Sequence, residues 1–255
     1  MISPIQTEKV LLPSKGFLYD NKLPDGYIEV RPFTIKEEML LTDPRLLKTQ
    51  NVLSLLLKEV IITPNISSEE LLTFDRIFLF LYLRTISYGK MYPIKINCPY
   101  CLSSLNVEID LSQLPIRYAE KKEDLQEPFK IELPHLETNV YLRYSRGKDE
   151  LPTDFQAQFG RGNPEEDEMR LFMRKENIEF LTRITTKIDN VEEKDWKDFY
   201  YYLTPRDFDY IFFSYLKREY GIKTLVEITC SECGGKFKKI LPFHTTFFRS
   251  ADSIT

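Results

Sequence analysis

All four cysteines of the chain lie in two C-x-x-C pairs, Cys98 with Cys101 and Cys230 with Cys233. Two residues between thiols let one tight turn place both sulfurs on the same tetrahedral ion, and two such turns complete a closed structural zinc site. A compact zinc ribbon separates its pairs by roughly 15 to 20 residues. Here 128 residues lie between Cys101 and Cys230. One zinc ion per chain, bound by all four thiolates, therefore requires a fold that brings two distant segments together.

An internal repeat offers a way to meet that requirement. Sliding the chain by 132 positions superposes residues 75–101 on 207–233 without a gap and with seven identities. Upstream, at another offset, Ile28-Glu29-Val30-Arg31 ending in Lys36-Glu37-Glu38 resembles Val140-Tyr141-Leu142-Arg143 ending in Lys148-Asp149-Glu150. Chance similarity is the alternative, but it does not easily match both helix ends and both cysteine pairs. The repeat predicts a duplicated chain whose two cysteine turns meet. The identical pairs are Asp75/Asp207, Phe80/Phe212, Tyr88/Tyr220, Gly89/Gly221, Ile96/Ile228, Cys98/Cys230 and Cys101/Cys233.

Other uses of the cysteines fit the sequence less well. A thioredoxin-like pair opens a helix, whereas Leu105–Ile109 and Lys236–Ile240 alternate as strands do. Disulfides suit exported chains, and the N-terminal residues have neither the basic start nor the apolar stretch of a signal peptide. His135 and His244 could ligate a metal, but four thiolates already fill a tetrahedron. Unmetallated thiols, disulfides and redox chemistry stay open as alternatives to zinc.

Composition narrows the function classes. The 255 residues are 42% hydrophobic and carry a net charge of −4, so they can bury a core and have no overall field for nucleic acid. Because of this charge, a zinc-containing nucleic-acid-binding protein ranks second, behind a protein that binds other proteins. The longest apolar run, Ile77–Leu83, is too short to span a bilayer, so we expect no membrane contact. Motifs for phosphate, dinucleotide or acyl-transfer chemistry are missing from the sequence, and we expect no enzyme and no small-molecule substrate.

Local signals divide the chain into five parts. Helices are expected from Thr34 to Asp43, from Arg45 to Ile61, from Phe74 to a left-handed cap at Gly89, from Asn163, and from Thr204 to Tyr220. The fold class is α+β, with two pseudo-repeated halves of helices and short β-hairpins joined at the zinc site. The expected boundaries are an N-terminal arm (1–26), a first half (27–114), a linker (115–128), a second half (129–243) with an insertion near 151–163, and a C-terminal tail (244–255).

The N-terminal arm is a candidate partner-binding segment. Pro13, Gly16, Pro24 and Gly26 oppose regular structure there, yet the arm is too apolar to remain in water as a disordered tail. We expect its first leucines to pack on the chain itself. Aromatic residues beside a polar rim are typical interface anchors, so the segment expected to contact a partner is Phe17, Leu18 and Tyr19.

Several of these motifs together resemble the baseplate hub proteins of T4-type contractile-tailed phages. The resemblance rests on Leu12–Tyr19, on Ile28–Arg31 followed by Glu37-Glu38, and on Asp75, Arg84, Tyr88-Gly89 and Cys98–Cys101. It covers mainly residues 10–114. It implies a non-enzymatic phage tail protein, either a hub component or a factor required for hub assembly, with other baseplate and tail proteins as partners. Such a protein is expected in the host cytoplasm during assembly and in the tail baseplate of the virion.

Overall fold

The computed structural model describes residues 6–40, 52–133, 135–150, 166–241 and 247. Its helices alternate with small antiparallel sheets, which confirms the α+β class. The helices are α1 (Ile35–Leu40), α2 (Val52–Val60), α3 (Thr73–Tyr88), α4 (Glu166–Ile184), α5 (Trp196–Tyr202) and α6 (Pro205–Leu216). The strands are β1 (Glu8–Leu11), β2 (Tyr27–Val30), β3 (Met91–Asn97), β4 (Ser104–Asp110), β5 (Ile116–Arg117), β6 (Phe129–Leu133), β7 (Thr138–Leu142), β8 (Thr185–Ile188), β9 (Gly221–Ile222), β10 (Leu225–Thr229) and β11 (Lys236–Ile240).

The N-terminal arm is the long loop of a β-hairpin. β1 pairs antiparallel with β2, with Glu8 opposite Val30 and Leu11 opposite Tyr27. The expectation that the whole arm lacks regular structure is therefore wrong for its first residues. Proline and glycine act only between the two strands, where Gly16 and Gly26 take positive φ values. Leu12 is fully buried, so the start of the arm packs on the chain itself as expected.

Helix α3 is the centre of the core. Every residue of this helix is buried or half-buried, and its buried members include Phe74, Asp75 and Arg84. The predicted end at Gly89 is confirmed, because its N–H donates to the carbonyl of Thr85 at 3.0 Å with φ at 89°. Its ψ of 164° is extended, so the cap is not the left-handed α conformation that the sequence predicted. The chain then enters the β3–β4 hairpin directly.

Helix α6 begins as predicted but ends early. Thr204 accepts a hydrogen bond from the N–H of Asp207 at 3.2 Å, and Pro205 is the first helical residue. The expected end at Tyr220 is wrong, since the helix stops at Leu216. Beyond that end, the carbonyls of Lys217 (2.8 Å) and Glu219 (3.2 Å) accept hydrogen bonds from Arg117 of β5.

The segment expected to be a linker, residues 115–128, packs against the N-terminal arm and against the second half of the chain. Its strand β5 pairs with β9, and the N–H of Ala119 donates to the carbonyl of Pro13 at 2.9 Å. Ala119 and Leu125 are buried, whereas Lys121 and Lys122 face solvent. The linker therefore joins the arm to the C-terminal part of the chain through ordered backbone.

Two distant parts of the chain repeat the same ion-pair geometry. Arg31 follows β2, makes a two-point ion pair with Glu37, and donates to the carbonyl of Glu59 near the end of α2. Arg143 follows β7, makes a two-point ion pair with Asp149, and donates to the carbonyl of Arg183 near the end of α4. Each arginine thus clamps a short turn onto the end of the next long helix.

The backbone repeats along with the side chains. The N–H of Arg31 donates to Val60, and the N–H of Arg143 donates to Ile184, both at 3.0 Å. The residue after each long helix bridges the preceding strand, as Ile61 does with Val30 and Thr185 with Leu142. These correspondences extend the sequence similarity into hydrogen-bond geometry.

Several expectations lie outside the described residues. They are the Asp43-Pro44 helix stop, the start of α2 at Arg45, the 151–163 insertion, the helix start at Asn163-Pro164, His244, and all of the C-terminal tail except Phe247. Across the ranges described above, no helix is long and apolar enough to cross a membrane.

Candidate metal centre

The four cysteine sulfurs converge at the meeting point of two hairpins. Every sulfur lies within 4.8 Å of the other three. The Cys98–Cys233 and Cys101–Cys230 sulfur separations, which join the two pairs, are both 3.7 Å. A tetrahedral zinc ion with bonds of about 2.3 Å separates its sulfurs by about 3.8 Å. A disulfide needs about 2.05 Å, and all four cysteines are free. The donor set and its spacing therefore fit a four-thiolate zinc ion.

Both cysteine turns have the same backbone geometry. In the first turn, the N–H of Cys98 donates to Ser103 and the N–H of Leu102 donates to Cys98, each at 2.9 Å. In the second turn, the N–H of Cys230 donates to Gly235 at 2.9 Å and that of Gly234 donates to Cys230 at 3.0 Å. The flanking hairpins also correspond, because Asn97 pairs with Ser104 as Thr229 pairs with Lys236. Each of these matched turns directs its two thiols toward the same point.

The two turns have a positive φ at the same position but different residues there. Gly234 takes φ of 72°, as its sequence context predicts, at no steric cost. The first turn has Leu102 at the corresponding position with φ of 62°, a backbone conformation that is strained for a residue with a Cβ atom. The Leu102 side chain is 78% exposed and gains little from packing. No glycine follows the first cysteine pair within the turn, so leucine adopts the left-handed conformation there.

Tyr100 connects the two cysteine turns. Its hydroxyl donates to the carbonyl of Lys236 at 3.1 Å, and its ring lies edge-on to Phe237 with centroids 6.5 Å apart. A Cβ atom on Gly235 would stand 2.5 Å from the Tyr100 ring, so this glycine provides space for the tyrosine. The sequence alone did not predict this contact. The second glycine of the Gly234-Gly235 pair was the available signal.

The electrostatics of the four thiols favour a bound cation. Hydrogen bonds from Ser103 lower the pKa of Cys101 to about 6. The backbone of Gly235 acts to lower the pKa of Cys233, but the Cys101 and Cys230 sulfurs raise it to about 12. Crowded thiols therefore oppose full ionisation unless a positive charge lies among them. Cys98 and Cys230 are buried, whereas Cys101 and Cys233 face solvent.

The other candidate residues lie apart from this cluster. His135 is exposed, and among the described residues the four cysteines form the only group with metal-ligand spacing. In the arm, Phe17 and Leu18 are half-buried against the core. Tyr19 is only 4% exposed, and its hydroxyl lies 2.6 Å from a carboxylate oxygen of Asp75. This burial corrects the expectation for Tyr19, because its ring anchors the arm and is not available to a partner.

Comparison with known proteins identifies the family. No curated protein sequence and no solved structure matches the chain. Residues 17–249 match the family described as T4 bacteriophage base plate protein. The match includes both cysteine pairs and residues 17–26 of the arm, and it continues well past residue 114, where the region that carried the resemblance ends. The chain belongs to the T4 bacteriophage base plate protein family.

Proposed function

We propose that this chain is a non-enzymatic baseplate hub component, or a factor required to assemble the hub, that holds other tail proteins in register. The observation that carries the proposal is the family match over residues 17–249. An aromatic content of 13% supports it, because aromatic side chains supply much of the contact area of protein interfaces. The chain acts in the host cytoplasm during assembly and is located in the tail baseplate of the virion if it is a hub component.

The test compares purified virions with assembly intermediates from infected cells. We expect phage that lacks this chain to accumulate unassembled hub proteins, and a tagged chain to co-purify with at least one of them. Mass spectrometry of virions then separates a retained component from an assembly factor. Normal baseplates in the absence of the chain would contradict both roles. A tagged unrelated tail protein provides the control for non-specific capture.

We propose that Cys98, Cys101, Cys230 and Cys233 hold one structural zinc ion. Zinc, when bound, supplies a closed four-coordinate cross-link and no catalysis, because no ligand position is left open. The sulfur separations of 3.7 Å across the two pairs support this assignment. The role of the chain here is positional, since β3–β4 and β10–β11 each deliver one rigid turn.

Metal analysis tests the zinc assignment directly. Protein purified without added metal should contain about one zinc ion per chain, and a Cys101→Ser, Cys233→Ser variant should contain almost none. Loss of the ion should lower the free energy of unfolding, which chemical denaturation measures before and after chelation. A Ser112→Ala variant, altered outside the turns, is the control. Two ions per chain, or intact disulfides without metal, would overturn the assignment.

We also propose that the chain consists of two related halves, 27–114 and 129–243, that meet at the zinc ion. The repeated arginine clamps and the matched cysteine turns support this division. The linker 115–128 and the arm 1–26 then lie between and before the halves. Because the two cysteine turns come from different halves, one ion fixes their relative position.

Within the arm, we propose that Phe17 and Leu18 contact a hub protein. Their partial exposure supports this role, whereas Tyr19 holds the arm in place through Asp75. A Phe17→Ala, Leu18→Ala variant should keep its fold and zinc but lose co-purification with hub proteins. The exposed Tyr27→Ala variant, altered at the end of the arm, is the matched control.

A further inference from the structure

Helix α6 presents an apolar stripe to solvent. The exposed positions recur at helical spacing along one face, and Tyr210 and Phe213 in the middle are 51% and 55% exposed. Both ends of the face are basic. We call this face the α6 stripe, and its residues are Arg206, Tyr210, Phe213 and Lys217.

The corresponding face of α3 is covered by the chain itself. At the 132-residue offset, the counterparts of Arg206, Tyr210 and Phe213 are Phe74, Phe78 and Leu81, which are 4%, 4% and 1% exposed. Extended backbone provides the cover. Tyr118, next to β5, lies edge-on to Phe78 with centroids 6.4 Å apart. At β9, a Cβ on Gly221 would stand 2.9 Å from the Phe74 carbonyl oxygen.

We infer that the α6 stripe is a second partner-binding site, and that it binds an extended, acidic segment of another tail protein. Among the described residues, β5 and β9 cover this face of α3, whereas the corresponding face of α6 is exposed. An open end of a repeat that is apolar rather than polar is typical of a surface that is covered in an assembly. This inference rests on the proposed role in holding tail proteins in register.

Charge identifies the class of partner. If two copies of the chain paired through α6 in antiparallel fashion, Arg206 of one copy would face Lys217 of the other. A parallel pair would place Arg206 beside Arg206. Both arrangements bring like charges together, whereas carboxylates on a different protein complement both ends of the stripe. Asp209 on the flank is already paired with Arg174 at 2.5 Å, so it does not neutralise the stripe ends.

The length of the stripe defines the spacing of those carboxylates. Arg206 and Lys217 are 11 positions apart in sequence. At about 1.5 Å per helical residue this separation is about 16 Å, which an extended chain spans in about five residues at about 3.3 Å each. The expected segment therefore carries two acidic residues about five positions apart, with apolar side chains between them that pack on Tyr210 and Phe213.

Photo-cross-linking in infected cells tests the inference. A benzoylphenylalanine residue replaces Phe213, and mass spectrometry maps the cross-linked peptide after irradiation. We expect one tail protein, cross-linked at a segment with the acidic and apolar spacing given above. The same probe at Tyr27, which is 44% exposed elsewhere, should not label that segment. Cross-links to a second copy of this chain or to nucleic acid would overturn the inference.

Charge variants give an independent readout. Arg206→Glu with Lys217→Glu should lower the cross-linking yield from position 213 by about tenfold, because two attractive contacts become repulsive. Lys95→Glu with Lys122→Glu makes the same change in net charge at exposed sites away from the stripe and should leave the yield unchanged. Equal yields from both double variants would overturn the inference. Labelling of tail proteins from position 17 but not from 213 would also overturn it, while leaving the proposed hub role intact.

Discussion

The Tyr19 hydroxyl donates a hydrogen bond of 2.6 Å to the carboxylate of Asp75 in the core. The same hydroxyl accepts from the N–H of Leu72 at 3.0 Å, and the N–H of Ser14 donates to the other oxygen of Asp75 at 3.0 Å. Both side chains are buried, so water does not replace these partners. The N-terminal arm is therefore fastened to the first residues of α3 by one continuous polar network.

Removing the Tyr19 hydroxyl should destabilise the fold without changing its shape. A Tyr19→Phe variant leaves the Leu72 N–H without its acceptor and Asp75 without one donor. The expected loss is about 1–3 kcal/mol of unfolding free energy, measured by urea denaturation. Tyr27→Phe removes an equivalent hydroxyl from a side chain that is 44% exposed and should change stability little. Similar losses in both variants would contradict a special role for the buried network.

Asp75 should make stability depend on pH. Burial raises the pKa of Asp75 to about 6, from an ordinary value of 3.8. The folded chain therefore holds this proton more tightly than the unfolded chain, and stability from this group falls as the pH rises from about 4 to about 6. The difference corresponds to about 3 kcal/mol at most. Unfolding free energies of the wild type and Asp75→Asn, measured at several pH values, should diverge across this window.

The exposed neighbour Asp20 provides the control for that titration. An Asp20→Asn variant should follow the wild-type pH profile, because its side chain faces solvent. If Asp75→Asn also follows the wild-type profile, Asp75 does not titrate between pH 4 and 6 in the folded chain.

The two arginine clamps should contribute comparably to stability. Arg31 and Arg143 each pair through two hydrogen bonds with a carboxylate and also reach a helix-end carbonyl. Lysine retains the charge but cannot reproduce this geometry. We expect Arg31→Lys and Arg143→Lys each to lose about 1–3 kcal/mol of unfolding free energy.

A third arginine allows the effect of two-point pairing on stability to be separated from the effect of burial. Arg174 also makes a two-point pair, with Asp209, but the two side chains are 34% and 41% exposed. Arg174→Lys should therefore cost less than about 1 kcal/mol in the same denaturation measurement. A loss at Arg31 without one at Arg143 would show that the two clamps are not energetically equivalent.

Local signals in the sequence predicted the elements whose causes are local. The Thr204 cap and the end of α3 at Gly89 each depend on a few neighbouring residues. The cysteine spacing also predicted which thiols converge. Composition and short motifs carry this information because they report on turn geometry and capping within one or two turns of chain.

Contacts between distant segments could not be read in this way. Tyr19 looked like an interface anchor because its buried partner Asp75 is 56 residues away. The segment that follows α6 is held by Arg117, which lies 100 residues before Lys217. The pairing of β1 with β2 likewise spans the arm, whose prolines and glycines indicated only turns. In each case a tertiary partner decided between two outcomes that the local sequence permitted.

Glycine at position 102 should stabilise the chain. Leu102 holds φ of 62° in the first cysteine turn, a conformation that costs a side chain with a Cβ about 1–2 kcal/mol. Glycine adopts it freely, but it also raises the entropy of the unfolded chain, which offsets roughly 0.4–1 kcal/mol of the gain. Because Leu102 is 78% exposed, its replacement forfeits little packing. Leu102→Gly should therefore raise the free energy of unfolding by up to about 1.5 kcal/mol.

Two matched variants isolate the backbone as the cause. Leu102→Ala removes most of the side chain but keeps the strained conformation, so its stability should stay close to that of the wild type. Gly234→Ala introduces a Cβ at the equivalent position, where φ is 72° and no atom lies within 4 Å of that Cβ. It should lose about 1 kcal/mol through strain alone. Thermal unfolding at fixed zinc concentration measures all three. A Leu102→Gly variant less stable than Leu102→Ala would show that the strain at position 102 is smaller than the entropy that glycine adds to the unfolded chain.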